Sequence, residues 1–231
     1  MSKKSMTVKS MTKKPTPEKP KAPPKLKSIK SIQKYLATQD KRLGRFLENA
    51  PLYPVSKEPA HNSHFETIVF AVIGQQLSGK AADTITHRLI AKTGSPVKPA
   101  KILKLGHLQL REVGLSNAKA RTIIELSEAV VNGFDLESVD QLPDDEIVKQ
   151  LTQFWGIGRW TVEMFMMFRL GRLDVWPIGD LGVRRGWGII QGLGYTPTEK
   201  EVIGVTDHLS PYRSVVAWHC WRATDEEPDF W

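Results

Sequence analysis

Apolar residues return every three or four positions along most of the chain, the spacing of an amphipathic helix. Ile32, Tyr35 and Leu36, then Leu43, Phe46 and Leu47, share such a face from Ser31 onward, until Ala50-Pro-Leu-Tyr-Pro54 breaks it. A second periodic stretch over residues 64–73 places Phe65, Ile68, Val69 and Val72 together. Gly74-Gln75-Gln76-Leu77-Ser78 interrupts the pattern, and a helix over residues 79–92 follows with Ser78 as its candidate N-cap. Short helices are predicted over residues 99–105 and 108–113. Gly114 then turns into a helix carrying Ile123, Ile124, Leu126, Ala129 and Val130. Asp144 is the candidate cap of a helix ending at Leu151, with acids in its first turn. Later helices are expected over residues 181–192, 199–209 and 212–223. No stretch alternates with the period of two that a half-buried strand requires, so the fold class is all-α.

Charge divides the chain. The sequence has 231 residues and a formal net charge of +8. Residues 1–30 hold ten lysines against one acid, Glu18, whereas residues 31–231 hold 23 basic and 24 acidic side chains. With five prolines and few large apolar side chains, residues 1–30 read as a disordered lysine- and proline-rich tail, either a polybasic arm or a solubilising extension. Residues 31–231 read as the folded domain. Nearly neutral, it would have to grip a polyanion through placed contacts. No apolar run approaches the roughly 20 residues of a membrane span. Nor does an apolar segment follow the first lysines, as in a secretory signal. The single cysteine, Cys220, excludes an internal disulfide and suits a reducing, intracellular setting. It also excludes a cysteine-ligated iron–sulfur cluster, which needs about four thiolates.

The chemistry concentrates in Leu151-Thr-Gln-Phe-Trp-Gly-Ile-Gly-Arg-Trp-Thr-Val-Glu-Met-Phe165 and the segment after it. Gly156-Ile157-Gly158 reads as a tight turn between two helices. Its glycines leave amide N–H groups unshielded, and the helix beginning near Arg159 adds the positive end of its dipole, a setting for a phosphate oxygen. Gly-x-Gly alone is equally an ordinary helix–helix turn. Asp180 follows a Gly/Pro-rich loop and precedes a helix, so residue type alone leaves it either an N-cap or a functional carboxylate.

Together these motifs resemble the helix-hairpin-helix DNA glycosylases, in particular the DNA-3-methyladenine glycosylases that lack an N-terminal β-rich domain. The match runs over residues 31–231, with the hairpin at about 144–170. The resemblance implies two helical lobes with an active-site cleft between them. It implies a hairpin (Gly156, Ile157, Gly158, Arg159, Thr161) that holds a DNA phosphate, with a monovalent cation at the backbone near Gly156 and Gly158. Asp180, 20 residues after Trp160, stands at the family's aspartate spacing and would stabilise positive charge on the sugar. Asp174, at the start of the same loop, would be structural. Bifunctional relatives resembling endonuclease III carry a lysine where Trp160 stands, so a water-using, monofunctional enzyme is expected. Trp160 and Trp221, with Trp218 one turn earlier, would line an aromatic pocket for an electron-poor alkylated base. Gln75-Gln76-Leu77-Ser78 resembles the segment that fills the gap left by a flipped base. Phe154-Trp155 replaces the more usual Leu-Pro, and Met164 stands where larger relatives can place an aromatic. No catalytic metal or organic cofactor is implied. The expected partner is double-stranded DNA carrying alkylated bases, bound by a monomer inside the cell.

Overall fold

The computed structural model describes Leu26, residues 28–54 and residues 63–224; of the tail expected over residues 1–30, residues 1–25 and 27 lie outside them, as do His61 and Trp231, whereas Ile29 and Lys30 belong to the first helix. The described residues form helices α1 (Ile29–Gln39), α2 (Lys41–Leu47), α3 (His64–Gly74), α4 (Gly79–Thr93), α5 (Pro99–Glu112) and α6 (Asn117–Val131). Then come α7 (Asp144–Leu151), α8 (Arg159–Met164), α9 (Leu181–Ile190), α10 (Glu199–Val202) and α11 (Arg213–Ala223). No strand occurs among them.

Several expected boundaries shift for local reasons. The first helix starts at Ile29 because Ser28 and Ser31 form a reciprocal capping box. Helix α5 joins the two expected short pieces, but Gly106, at φ 66°, kinks it between them. Pro143 takes the cap position of α7. Asp144 is therefore its first residue, where its carboxylate pairs with Arg172 at 3.2 Å. The single helix expected over residues 199–209 is two short pieces, α10 and a 3-10 turn at Asp207–Leu209, separated at Gly204 with φ 79°.

Two lobes result. Helices α1, α2, α9 and α11 pack on one another, and Gln191 after α9 donates to Asp40 between α1 and α2 at 2.9 Å. Helices α3 to α8 form the other lobe, where Ile68, Leu89, Ile102, Leu110, Ile123 and Leu151 are wholly buried. Helix α8 runs on into a π-helical turn at Phe165–Arg169. The chain then crosses through residues 170–180 to α9, so the N-terminus of α9 lies where the lobes meet.

Two histidines are buried within this frame. His64 packs edge-on against Phe165, and its Nδ1 accepts from Arg169 Nε at 3.1 Å; it is part of the core. His219, at 0% exposure, lies against Trp218 and Phe46, with neither ring nitrogen hydrogen-bonded among the described residues. Burial, with a smaller push from Arg222, takes its pKa from 6.5 down to about 4. The unfolded chain therefore binds a proton near pH 6.5 that the folded chain refuses until about pH 4. This contribution to stability is present above pH 6.5 and lost as pH falls toward 4, roughly 3 kcal/mol over that window. Urea unfolding at pH 7 and pH 4.5 checks this: His219→Leu should lose much less stability between the two pH values than the wild type.

Candidate active site

Asp180 caps α9, its Oδ1 accepting from the Val183 N–H at 2.8 Å. The same carboxylate takes two indole donors. Trp160 Nε1 of α8 donates to Oδ2 at 2.6 Å, and Trp221 Nε1 of α11 donates to Oδ1 at 3.0 Å. One tryptophan comes from each lobe. Asp180 is therefore an N-cap whose half-buried carboxylate also takes an indole N–H from each lobe. Among the described residues Oδ1 accepts two hydrogen bonds and Oδ2 one, so Oδ2 has a lone pair left to receive a further donor. Phe168 stacks on Trp221 at 6.0 Å and 30°, fixing that ring from behind.

Neighbouring residues support the cluster without joining it. Asp174 is tied to Arg213 at 2.8 Å and to Ser210 at 2.9 Å, the structural part expected of it. Trp218 lies edge-on to Tyr53 at 5.9 Å and to His219 at 4.9 Å, beneath Arg222, and makes no hydrogen bond to Asp180 among the described residues. A cavity of about 360 Å³ is lined by Arg159, Glu163, Asp174, Trp176 and Arg213. Asp180 and its two indoles do not line it, so it is not where this carboxylate would act.

The turn between α7 and α8 has the expected glycine geometry. Gly156 has φ 80°, and a Cβ there would run into the Thr122 side chain of α6, so only glycine fits. Gly158 is the N-cap of α8, with nothing within 4 Å of where its Cβ would lie. The Ile157 N–H, however, is spent on Phe154 O at 3.1 Å, and its side chain is buried. Thr161 is buried too, its hydroxyl accepting from Gln75. Ile157 and Thr161 thus hold the hairpin together rather than present side chains outward. The N–H groups of Gly156, Gly158 and Arg159 remain without an acceptor among the described residues.

The family model for the HhH-GPD superfamily of base excision DNA repair proteins matches residues 69–206. The chain belongs to that superfamily. It is 30% identical to DNA-3-methyladenine glycosylase 1 of Schizosaccharomyces pombe over 85% of this chain and 88% of that protein. The structure of an S. pombe 3-methyladenine DNA glycosylase in complex with abasic DNA superposes with a TM-score of 0.77 and 30% identity, covering 86% of this chain and 98% of that one. A DNA-3-methyladenine glycosidase from Bacillus halodurans gives a TM-score of 0.73 and 34% identity, covering 83% and 88%.

Within this HhH-GPD chain the Gln-Gln segment divides its work. Gln75 Nε2 donates to Thr161 Oγ1 at 2.9 Å and to Gly156 O at 3.1 Å, so its amide is a strut between the α3–α4 loop and the hairpin. Lys119 closes the other side, donating to Ile73 O at 2.8 Å and Gln75 O at 2.6 Å, with burial lowering its pKa. Gln76, at φ 56°, and Leu77, 41% exposed, are what the loop presents to solvent. Ser78 occupies the N-cap position of α4 but makes no side-chain capping bond.

Arg159 pairs with Glu163 at 2.8 Å, leaving the rest of its guanidinium outside. Glu163 is 4% exposed; burial raises its carboxyl pKa, the Arg159 hydrogen bond opposes this, and the Asp180 charge adds to the rise. Neither the Gln75 strut nor the buried Glu163 was legible in the sequence, because both depend on which face of a short helix meets a distant loop. For metals, no group of three or more His, Cys, Asp or Glu side chains among the described residues could hold one. A monovalent cation would instead need hard backbone oxygens. Gly156 O is already engaged by Gln75, while the turn is open on its Gly158 side.

Proposed function

We propose that this protein is a monofunctional DNA glycosylase of base excision repair that removes alkylated bases such as 3-methyladenine and 7-methylguanine from duplex DNA. The observation that carries the reading is the Asp180 carboxylate, held by two indole N–H groups and a helix-cap N–H at the junction of the lobes. Cleavage of an N-glycosidic bond builds positive charge on the sugar, and a fixed carboxylate beside it lowers the energy of that state. The base departs with the bonding electron pair, and an N-alkylated cationic purine leaves as a neutral molecule. Water adds to C1′ and gives its proton to Asp180, from which it passes to solvent, so a hydroxyl replaces the base.

The flat indoles of Trp160 and Trp221 favour an electron-poor ring over an ordinary base. In the extruded state, Gln76 or Leu77 would occupy the gap in the stack. The free amides of Gly156, Gly158 and Arg159 would hold a phosphate flanking the lesion. A monovalent cation at the open side of the same turn, held by backbone oxygens, would add positive charge there. No cofactor enters the chemistry. The protein would act as a monomer inside the cell. Among the described residues no helix is long and apolar enough to cross a membrane.

Because Trp160 supplies no amine, base release should leave the strand intact. Methylated duplex treated with the protein and run without alkali should show no cleavage, and borohydride should trap no covalent adduct. Strand breaks coinciding with base release would show that an amine attacks the sugar and would refute the monofunctional reading.

A further inference from the structure

One exposed pair sits on the hairpin itself. Trp155, immediately before Gly156, is 44% exposed, although the apolar slot of the turn is already filled by the buried Phe154, edge-on to Phe134 at 5.1 Å. The core therefore does not require an indole at Trp155. Its ring is covered on one face by Arg121 of α6, whose guanidinium carbon lies 4.4 Å from the ring centroid. The Trp155 N–H donates to Glu125, one turn along α6, at 3.1 Å. Between these residues Thr122 is the side chain against which Gly156 packs. Helix α6 thus fixes the turn through successive contacts, and Arg121 lies over the side chain of the residue that precedes Gly156.

The cations near this turn differ in what they are free to do. Lys119 is committed to two carbonyls and Arg159 to Glu163. Arg121 is exposed and makes no ion pair among the described residues; stacking on Trp155 is what holds it. A guanidinium stacked through its face keeps the N–H donors at its edge available, in the planar fork that matches a phosphate. Glu125, the nearest acid along the helix, already accepts from the Trp155 backbone.

We propose that Arg121, oriented by Trp155, binds a second DNA phosphodiester beside the one held by the hairpin amides. The inference rests on the reading of this chain as a DNA glycosylase. In it the indole fixes the plane of the guanidinium, and the guanidinium supplies the charge. Lysine in the same place would keep the charge and lose the stacked fork.

Binding of the full chain to a duplex carrying one tetrahydrofuran abasic analogue, and to the same duplex undamaged, is measured across a range of salt concentrations. Arg121→Gln should reduce the slope of log K against log salt by about 0.9, one phosphate contact's worth, and weaken both duplexes alike by roughly fivefold to tenfold at 0.1 M salt. Arg121→Lys should retain the slope and lose part of the affinity. An unchanged slope in Arg121→Gln would overturn the proposal, since a residue that only braced the turn would not change the number of counterions released. Release of alkylated base by the wild type, assayed alongside, separates the two claims. A reduced slope without base release keeps the phosphate contact and removes the glycosylase reading; base release with an unchanged slope does the reverse.

Discussion

Asp180→Asn should still bind lesion-bearing duplex and should release alkylated base on the order of 10³-fold more slowly than the wild type, about 4 kcal/mol of barrier. The substitution isolates charge from structure. Asparagine caps helices about as well as aspartate, so the Val183 N–H keeps an acceptor and α9 keeps its start. What changes is the face toward the indoles. With Oδ1 kept for Val183 and Trp221, Oδ2 becomes an NH2 group, which cannot accept from Trp160, and the negative charge beside the sugar is gone. Asp180→Ala would confound these effects, because it also removes the cap at a cost of about 1 kcal/mol. Single-turnover base release with a parallel binding titration reads both quantities. A near wild-type rate with intact binding would remove Asp180 from the chemistry.

Gly186→Ala should be the most damaging of the single-methyl additions. The residue lies on α9 where it crosses α11, and a Cβ there would sit well under 3.0 Å from the backbone of Cys220. On helix propensity alone, alanine would gain about 1 kcal/mol over glycine. The clash outweighs that gain, because its partner is a carbonyl in the middle of a buried helix and cannot rotate away. The helices must move apart, at a cost of about 3 kcal/mol or more, which for a chain of this size lowers Tm by roughly 6–12 °C. The damage also reaches the site: Asp180 caps α9 and Trp221 sits on α11 next to Cys220, so separating the helices stretches the 3.0 Å indole–carboxylate bond. Thermal unfolding and base release measured on the same preparation should both fall. A variant as stable as the wild type would show that the α9–α11 crossing has slack that the structure does not display.

The main elements were legible because the periodicity is a local property written into consecutive residues. Residues 64–73 and 117–131 announce their buried faces, and the kink at Gly106 and the turn at Gly156 announce themselves through glycine. Failures came where a local signal had two physical outcomes. The run 199–209 has helical spacing, but Gly204 supplies a positive φ that ends the helix. Asp144 looks like a cap, yet Pro143 already holds that position.

In the site, Asp180 and Trp221 could be singled out only through the family resemblance, Asp180 by the family's spacing from Trp160 and Trp221 by its match to an aromatic pocket position. Trp218 sits on that same helix but packs against Tyr53, a partner more than 160 residues away that no periodicity along α11 could reveal. The same holds for Gln75. It belongs to the segment that resembles the family's wedge, and only the approach of the hairpin shows its amide already committed to Gly156 and Thr161.

In the proposed reaction the carboxylate between the two indoles drives hydrolysis of the bond to an alkylated base. The most direct test is release of free base from methylated duplex DNA by the full chain, with the products separated and identified. Free 3-methyladenine appearing with the wild type, and nearly abolished in Asp180→Asn, is the predicted result. Tight binding of the methylated duplex with no free base from the wild type would contradict it.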